Sequence, residues 1–493
     1  MRIQGGSRPE LGASISDEGG LQPMVRRSRP DYDLVIVGLG SAGIVAADFA
    51  GQLGLRTVAV ESSRVGGDCL WTGCVPSKSL LAAAGAAHAI RTAGRLGITT
   101  AEPLLDLPTI WGRIAQVQAE IAANDDDPER LRQTGAEVIV GAPARLVGPH
   151  TVAVGGRTIK ARFILVCTGS HPAVPPIPGL HDVGFITSET FFQLESVPGS
   201  LIFVGGGPIS LELAQGMRRL GAEVTVLEAA DQIAVREEPE LVATLVAMLR
   251  RDGVVIETGV QIDGVTSDDG CKTVTGTVGG QMRSWRGQEI FVGTGRRPNV
   301  DGLGLEEVGV EVGRAGIVVD RSLRTAVRSI YACGDVTGRY LFTHSAGYEA
   351  VQALRGMFFP GRGRAPELVP WCTFTDPQLA HAGLTVSEAQ ASHRKVEVWR
   401  SELIHSDRAR ADGATAGEVM LITAGRRLVG AHILAPSAGE MIHELALAIS
   451  QRLKIDAVYN LVHIYPTYST SVGKAAAEAG LQQARRLRWL VRR

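Results

Sequence analysis

The chain has few aromatic residues, almost no net charge and few cysteines. Aromatic side chains make up 5% of its residues and the formal net charge is −1, so composition gives no reason to expect a nucleic-acid partner. Six cysteines in 493 residues are too few for a secreted disulfide scaffold. No apolar run is long enough to cross a bilayer, and residues 1–30 lack the apolar core of a secretory signal. We therefore expect a cytoplasmic globular protein that begins with a flexible polar tail.

Glycine, by contrast, is abundant, and the chain is long. A length of 493 residues exceeds what one hydrophobic core supports, which predicts two to four domains. The 60 glycines indicate many tight turns. From about residue 365 the pattern changes to alternating strands, followed by an amphipathic helix over residues 439–453. This change indicates a separate α+β domain at the C-terminal end.

Two segments, residues 32–62 and 200–229, share one design. Each has an apolar β-branched run, a glycine-rich turn, a helical stretch and a second apolar run that ends in glutamate. This is the pattern of a β-α-β unit that binds a dinucleotide, with the pyrophosphate at the helix N-terminus. The second unit has Ser210 where a third glycine is usual. Two such units on one chain predict two dinucleotides, and hydride transfer between a flavin and a nicotinamide is the obvious use.

The glutamates that end the two units indicate which nucleotides are bound. Glu61 and Glu228 are each expected to hydrogen-bond the adenosine ribose of their own dinucleotide. The charge of Glu228 would repel a 2′-phosphate, and no arginine follows it in "LEAADQI". Arg236 lies further along and could still reach a phosphate. We therefore expect NADH in preference to NADPH.

A cysteine pair, Cys69 and Cys74, lies in "GGDCLWTGCVPSK". Its spacing differs from the thioredoxin-like Cys-x-x-Cys, and no second pair indicates a zinc site. The residues that follow predict a helix, whose dipole, together with Lys78 one turn along, would stabilise a Cys74 thiolate. Beside two dinucleotide sites, this pair favours a redox disulfide over two unrelated buried thiols.

The motifs "GLGSAG", "GGDCLWTGCVPSKSL", "CTGSHP", "GGGPISLELA", "GTGRRPN" and "ACGDV" occur in this order. With the C-terminal domain, they make residues 32–480 resemble the FAD-dependent pyridine nucleotide–disulfide oxidoreductases, the group of dihydrolipoamide dehydrogenase, glutathione reductase and mercuric reductase. The resemblance implies an α/β fold with two Rossmann-like domains, for FAD and NAD, and a C-terminal α+β dimerisation domain. It also implies a homodimer. The expected parts are a tail (1–30), the first FAD-binding part (31–178), the NAD-binding domain (179–293), the second FAD-binding or central part (294–364), the dimerisation domain (365–480) and a basic tail (481–493).

The resemblance also assigns roles residue by residue. Cys74 would be the charge-transfer cysteine against the flavin and Cys69 the interchange thiol that meets the substrate. Lys78 and Glu212 would form an ion pair near the flavin, and Asp335 would bind the ribityl chain. The FAD adenosine diphosphate would be bound by Gly38, Gly40, Gly43 and Glu61, and NADH by Gly205, Gly207 and Glu228. Further cofactor contacts are expected from Ser41, Ala42, Gly67, Lys78, Thr168, Gly169, Gly295 and Gly334.

The chain departs from this family near its end. Thiol–disulfide members have His-Pro-Thr-x-Ser-Glu in the last segment, where the histidine exchanges protons with the interchange thiol of the partner subunit. In this chain Tyr465 occupies the histidine position and Thr470 the glutamate position. Tyr465 therefore lies at the catalytic position, but the pKa of its phenol is too high for a base at neutral pH. His463 would share a face with Tyr465 in a strand, although an ordinary packing or surface histidine is the more common outcome.

These residues predict an enzyme that passes electrons from NADH through FAD and the Cys69–Cys74 disulfide to a small-molecule acceptor. That acceptor would not require the usual dyad: a metal ion, a quinone or a specialised disulfide. Dihydrolipoamide dehydrogenase and mercuric reductase remain alternatives, although no cysteine follows Cys372 to deliver mercury. A third alternative is a flavoprotein that serves as an electron-transfer partner and docks at a membrane through the basic tail. The simpler interpretation of that tail is a solvated terminus.

Overall fold

The structure, a computed structural model, describes residues 30–194, 196–359, 361 and 363–486. The predicted N-terminal tail, apart from residue 30, lies outside the described residues, and so do residues 487–493 of the predicted basic tail. Within the described part, no helix has the length and apolar character needed to cross a membrane.

The first part of the chain forms a mixed sheet flanked by helices. Its elements are β1 (Tyr32–Val37), α1 (Ser41–Gln52), β2 (Thr57–Glu61), α2 (Gly67–Trp71), α3 (Cys74–Thr92), α4 (Leu107–Asn124), α5 (Pro128–Gln133), β3 (Glu137–Val140), β4 (Ala144–Gly148), β5 (Thr151–Val154), β6 (Arg157–Val166) and β7 (Ser170–Pro172). The strand order is β3-β2-β1-β6-β5-β4, with β3, β2, β1 and β6 parallel. Leu34, Val35 and Ile36 of β1 are fully buried, as expected for a central strand covered on both faces.

The second part repeats the design on a smaller scale. Its elements are α6 (Leu180–Val183), α7 (Ser188–Phe191), β8 (Ser200–Val204), α8 (Pro208–Arg219), β9 (Glu223–Leu227), α9 (Pro239–Arg251), β10 (Val254–Glu257), β11 (Val260–Asp268), β12 (Cys271–Val278), β13 (Gln281–Gly287) and β14 (Glu289–Val292). A parallel sheet has the order β10-β9-β8-β14, and a three-stranded antiparallel sheet has the order β11-β12-β13.

The chain then returns to the first sheet. The elements are β15 (Arg296–Pro298), β16 (Val312–Gly313), β17 (Gly316–Ile317), β18 (Ile330–Ala332) and α10 (Thr343–Phe358). Strand β18 pairs in parallel with β6, while β15 pairs with β7, so segments far apart in sequence complete one domain. This return places the residue after β18, Cys333, beside the residue after β6, Cys167.

The last part is an antiparallel sheet with helices. Its elements are β19 (Trp371–Thr373), β20 (Gln378–Gly383), α11 (Val386–Ser392), β21 (Val396–Glu402), α12 (Asp407–Asp412), β22 (Glu418–Ala424), β23 (Arg427–Ala435), α13 (Ala438–Ser450), α14 (Ile455–Tyr459) and α15 (Thr470–Arg486). The sheet order is β19-β20-β23-β22-β21. The helix predicted over 439–453 is α13, and the predicted α/β fold with a C-terminal α+β domain is confirmed.

Candidate active site

The first glycine turn joins β1 to α1 and leaves the N-terminus of α1 without a side-chain cap. Gly38 has a φ of +99°, and a Cβ there would lie 2.4 Å from the Cys167 carbonyl oxygen. At Gly43 a Cβ would lie 1.9 Å from the Gly38 carbonyl oxygen, so helix and turn touch through backbone alone. Glu61, at the end of β2, accepts hydrogen bonds from the N–H groups of Leu39 and Ser63, both at 2.8 Å.

The second turn, between β8 and α8, repeats this arrangement. Gly205 has a φ of +100°, and Glu228 accepts from the N–H of Gly206 at 2.6 Å and from that of Ala230 at 2.8 Å. Ser210, where a third glycine is usual, is fully buried. A Cβ on Gly293 would lie 2.3 Å from the Ser210 hydroxyl oxygen, so a glycine on the facing strand end provides the room that the serine needs.

One cavity of about 1080 Å³ joins the first turn to the cysteine pair. Its volume and its uncapped helix N-terminus fit a flavin dinucleotide, because free N–H groups at a helix start bind phosphate. The start of α8 also lines this cavity, but Gly43, Gly205, Gly207, Glu228, Gly295 and Tyr465 do not. The predicted residues that do line it are Gly38, Gly40, Ser41, Ala42, Glu61, Gly67, Cys69, Cys74, Lys78, Thr168, Gly169, Glu212, Gly334 and Asp335.

The two cysteines lie on successive helices, Cys69 in α2 and Cys74 at the first residue of α3. Both are thiols here, and Cys74 is exposed to the cavity. A hydrogen bond from Cys69, with smaller contributions from Thr343 and Lys78, lowers the pKa of Cys74 to about 6. The same hydrogen bond, together with burial, raises the pKa of Cys69. At neutral pH the reduced pair therefore holds one thiolate, on Cys74.

An ion pair lies beside Cys74. The Lys78 ammonium is 2.7 Å from a Glu212 carboxylate oxygen, and the other oxygen accepts from the Phe374 N–H at 2.8 Å. The ammonium also lies 4.4 Å from the centre of the Phe374 ring. Glu212 is buried in α8, so this contact ties α3 of the first domain to the second and to the C-terminal sheet.

Asp335 lies at the far end of β18, within the same cavity. It accepts a hydrogen bond from the Ser170 hydroxyl at 2.6 Å, and Arg296 lies 3.7 Å away while also pairing with Asp68. Burial raises the pKa of Asp335. The sequence assigned no role to Ser170, Arg296 or Thr343, although Ser170 lies within "CTGSHP" and Arg296 within "GTGRRPN".

The C-terminal segment does not form the strand considered above. The His463 side chain is 9% exposed and its Nε2 lies 3.2 Å from a Glu444 oxygen, whereas Tyr465 is 70% exposed. Because residues 462–465 form no strand, the condition for a shared face is not met, and His463 packs against Glu444 as an ordinary packing histidine would. The Tyr465 hydroxyl donates to Asp407 at 3.0 Å, which raises the pKa of the phenol further above neutrality. The Thr470 hydroxyl donates to the Thr467 carbonyl at 2.6 Å.

Arg236, considered above as a partner for a 2′-phosphate, has another neighbour. Its guanidinium lies 4.6 Å from the ring centre of Trp371, a residue of the cavity wall. The sequence assigned no site role to Trp371 or the adjacent Cys372, which lie in "PWCTFTDP" at the start of β19. With Arg236 engaged there, the residues around Glu228 favour NADH.

Two nucleotide-binding units that meet beside a cysteine pair define a flavin- and nicotinamide-dependent disulfide oxidoreductase. The family described as pyridine nucleotide-disulphide oxidoreductase matches residues 32–350, and its dimerisation domain matches residues 369–476. The chain belongs to this family. It is an enzyme whose cofactors are FAD and NAD(H), and the dimerisation domain supports a homodimer.

Relatives with different substrates resemble the chain almost equally. A mercuric reductase of Streptomyces lividans is 36% identical over 456 residues, covering 90% of this chain and 95% of the relative. A dihydrolipoyl dehydrogenase of Chlorobaculum tepidum is 33% identical over 463 residues, covering 91% and 97%. Among solved structures, the Cu(II) complex of the HOCl-induced flavoprotein disulfide reductase RclA from Escherichia coli is similar, with a TM-score of 0.80, 26% identity and coverage of 90% and 99%.

Proposed function

We propose that this enzyme uses NADH to reduce a thiophilic metal ion at Cys69 and Cys74. The observation that carries the proposal is the pairing of a Cys74 thiolate, whose pKa is about 6, with an exposed segment that offers only Tyr465 and Thr470 where an acid–base pair is usual. A metal ion that takes up electrons needs thiolate ligands and no proton shuttle.

The roles proposed for the site residues rest on the family resemblance and, for most of them, on the cavity that they line. Cys74, beside Lys78, faces the wall of the FAD-binding cavity, and Cys69 is the thiol that meets the acceptor. FAD, when bound, supplies the transfer of an electron pair between the nicotinamide and the disulfide. Gly40 and Glu61 would hold its adenosine diphosphate and Asp335 its ribityl chain, while Gly207 and Glu228 would hold NADH. Ser41, Ala42, Gly67, Thr168, Gly169 and Gly334 line the same cavity and would complete the cofactor contacts. Gly295 lies outside the cavity lining and is proposed as a cofactor contact from the family resemblance alone.

Metal reduction and thiol–disulfide exchange differ in the protons that the protein must transfer. With Cu(II) as acceptor, NADH and two Cu(II) give NAD⁺, one proton and two Cu(I), and no protein base takes up a proton from the acceptor. With dihydrolipoamide as donor, two thiol protons must leave, which is the task of a histidine of near-neutral pKa. The Tyr465 phenol, hydrogen-bonded to Asp407 and with a raised pKa, does not meet that need.

The second candidate is dihydrolipoamide dehydrogenase, and one contact favours it. His463 and Glu444 form an imidazole–carboxylate pair 3.2 Å apart, two residues from the histidine position of the family. A His463→Gln variant tests this candidate: loss of dihydrolipoamide turnover at an unchanged rate of flavin reduction by NADH would support it.

Anaerobic kinetics of the FAD-loaded dimer test the leading proposal. NADH reduces the enzyme first, and Cu(II), Hg(II), oxidised lipoamide and glutathione disulfide are then offered as acceptors. We expect turnover with a metal ion that falls at least 100-fold in Cys69→Ser and in Cys74→Ser, while NADH still reduces the flavin in both variants. Faster turnover with either disulfide than with both metal ions would refute the proposal.

A further inference from the structure

Three side chains with metal-binding atoms meet away from the redox cysteines, at the contact between α9 and the C-terminal sheet. Glu237, just before α9, is 5% exposed, while His381 of β20 and His432 of β23 are 2% and 0% exposed. His381 and His432 are paired residues on neighbouring strands. One ligand atom from each of the three side chains lies within 4.8 Å of the other two.

Backbone carbonyls fix the tautomers of both histidines. The His381 Nε2 lies 2.9 Å from the Gly383 carbonyl oxygen, and the His432 Nε2 lies 3.0 Å from the Leu384 carbonyl oxygen. A carbonyl oxygen only accepts, so each Nε2 carries the proton and donates it. The neutral form of each ring then has its lone pair on Nδ1. Metal-binding histidines are commonly oriented by a hydrogen bond of this kind.

The two Nδ1 atoms are left in need of a positive group. The His381 Nδ1 lies 3.1 Å from a Glu237 carboxylate oxygen. Both atoms are hydrogen-bond acceptors, so this contact is favourable only if a proton or a cation lies between them. The His432 Nδ1 is buried and has no hydrogen-bond partner among the described residues. A proton between His381 and Glu237 would satisfy that pair but leave the buried His432 Nδ1 without a partner, which is unfavourable. One cation bound by all three groups removes both problems.

The charge balance of the cluster favours the cation as well. Glu237 and Glu238 are both buried, and within residues 30–486 as described their ion pairs are only with His381 and His432. A dication would offset the two carboxylates, which no lysine or arginine does here.

We propose that Glu237, His381 and His432 bind a divalent transition-metal ion of the zinc, cobalt(II) or copper(II) class. Two imidazole nitrogens and one carboxylate oxygen suit these ions and do not suit calcium or magnesium, which prefer oxygen ligands. Ligands at about 2.0 Å in a tetrahedral site lie about 3.3 Å apart, so a small inward rotation of the imidazoles would close the site. A water molecule would complete the coordination.

Trp371 connects this site to the redox cavity. Its indole N–H donates to the other oxygen of Glu237 at 2.5 Å, and its ring stacks on His381 with 3.8 Å between centres. The same ring lines the cavity and lies under the Arg236 guanidinium. A metal ion on Glu237 and His381 would therefore hold Trp371 in place and join the nicotinamide-binding domain to the C-terminal sheet.

The test measures metal content without turnover, so its result does not depend on the proposed acceptor. The FAD-loaded dimer carries Cys69→Ser and Cys74→Ser, which removes the thiols that would compete for the metal. Cobalt(II) is the probe, measured by elemental analysis after dialysis and by its visible tetrahedral absorption. We compare Glu237→Gln, which keeps an acceptor for Trp371, and His432→Gln with a matched control, His393→Gln, whose imidazole is exposed.

We expect about one cobalt per chain in the parent and in His393→Gln, and at least tenfold weaker binding in Glu237→Gln and His432→Gln. FAD content shows whether each variant is folded. Copper(II) bound to the parent gives an independent measurement, since electron paramagnetic resonance should show coupling to two imidazole nitrogens. The proposal would be overturned if the parent retained no metal, or if both variants retained as much metal as the parent. A copper signal without coupling to imidazole nitrogen would also overturn it.

Discussion

The Cys74 side chain lies between a hydrogen-bond donor, Cys69, and a cation, Lys78, at the first residue of α3. The dipole of α3 favours a thiolate at this place, as the sequence predicted. The larger effect, the hydrogen bond from Cys69, depends on how α2 and α3 are joined. Spacing along the chain does not give that geometry, because the turn between the helices decides whether the two sulfur atoms meet.

The acidity of Cys74 is therefore expected to depend on its neighbour. In the reduced wild type the thiolate should persist above about pH 6 and protonate below it, because the pKa is lowered from its ordinary value. Cys69→Ala removes the donor and should raise the pKa of Cys74 by about 1–2 units, the worth of a hydrogen bond to a charged group. Thiolate absorbance in the ultraviolet against pH measures this. Cys69→Ser is the control, since its hydroxyl can still donate; equal midpoints in the Ala variant and the wild type would contradict the prediction.

Substitutions at the two members of the ion pair beside Cys74 should shift the pKa of Cys74 in opposite directions. Lys78 lowers the pKa of Cys74 and Glu212 raises it. Lys78→Met should therefore raise that pKa and Glu212→Gln should lower it, each by roughly half a unit, because Lys78 is partly exposed and its charge is screened. The same titration checks both variants. Shifts in one direction would mean that the substitutions act by moving α3, with no separate effect of charge.

At the scale of elements, the two glycine turns can be distinguished by experiment. A Cβ at Gly40 would meet only the Gly67 Cα, at 3.7 Å, and one at Gly207 would meet only the Gly293 carbonyl oxygen, at 4.0 Å. Both alanine variants should fold, with the new methyl group standing where a pyrophosphate approaches. We expect Gly40→Ala to lower FAD content, and Gly207→Ala to keep FAD while raising the KM for NADH about tenfold. A Gly207→Ala protein with normal KM would contradict the assignment of the second turn.

These turns also mark how far sequence reasoning reaches. A glycine turn, a helix and a terminal glutamate are local features, so both units could be predicted from spacing alone. The contact between Ser210 and Gly293 could not be predicted from spacing, because these residues meet only after β14 pairs with β8. The partner of His463 could not be predicted from spacing either, because its contact with Glu444 forms only where the segment lies against α13.

The segment around Tyr465 gives a prediction of gained activity. General acid–base catalysis contributes about 10²–10⁴-fold, so Tyr465→His with Thr470→Glu should raise dihydrolipoamide turnover by at least tenfold. Reduction of metal ions should stay within about twofold of wild type, because the proposed reaction uses no base. Tyr465→Phe is the control, as it removes the bond to Asp407 and supplies no imidazole. Wild-type dihydrolipoamide activity that is already high and does not rise would contradict the argument.

At the scale of the whole molecule, the cavity is assembled from every part of the chain. Cys74 comes from the first domain, Glu212 from the second, Asp335 from the returning segment and Trp371 from the C-terminal sheet. The sequence predicted the first three through their motifs. It could not predict Trp371 or the buried histidines beside it, since their importance lies in contacts between domains, which leave no local pattern in the chain.

The location of the dimer interface can be tested directly. Val462 and Ile464, apolar residues of the dimerisation domain, are 92% and 80% exposed in the single chain. Four such side chains buried in a symmetric pair contribute about 6 kcal/mol, or about 10⁴-fold in dissociation constant. Val462→Asp with Ile464→Asp should therefore give a monomer by sedimentation equilibrium, with FAD still bound. Met282→Asp, equally exposed on β13 of the second domain, should stay dimeric. A double variant of unchanged mass would place the interface elsewhere.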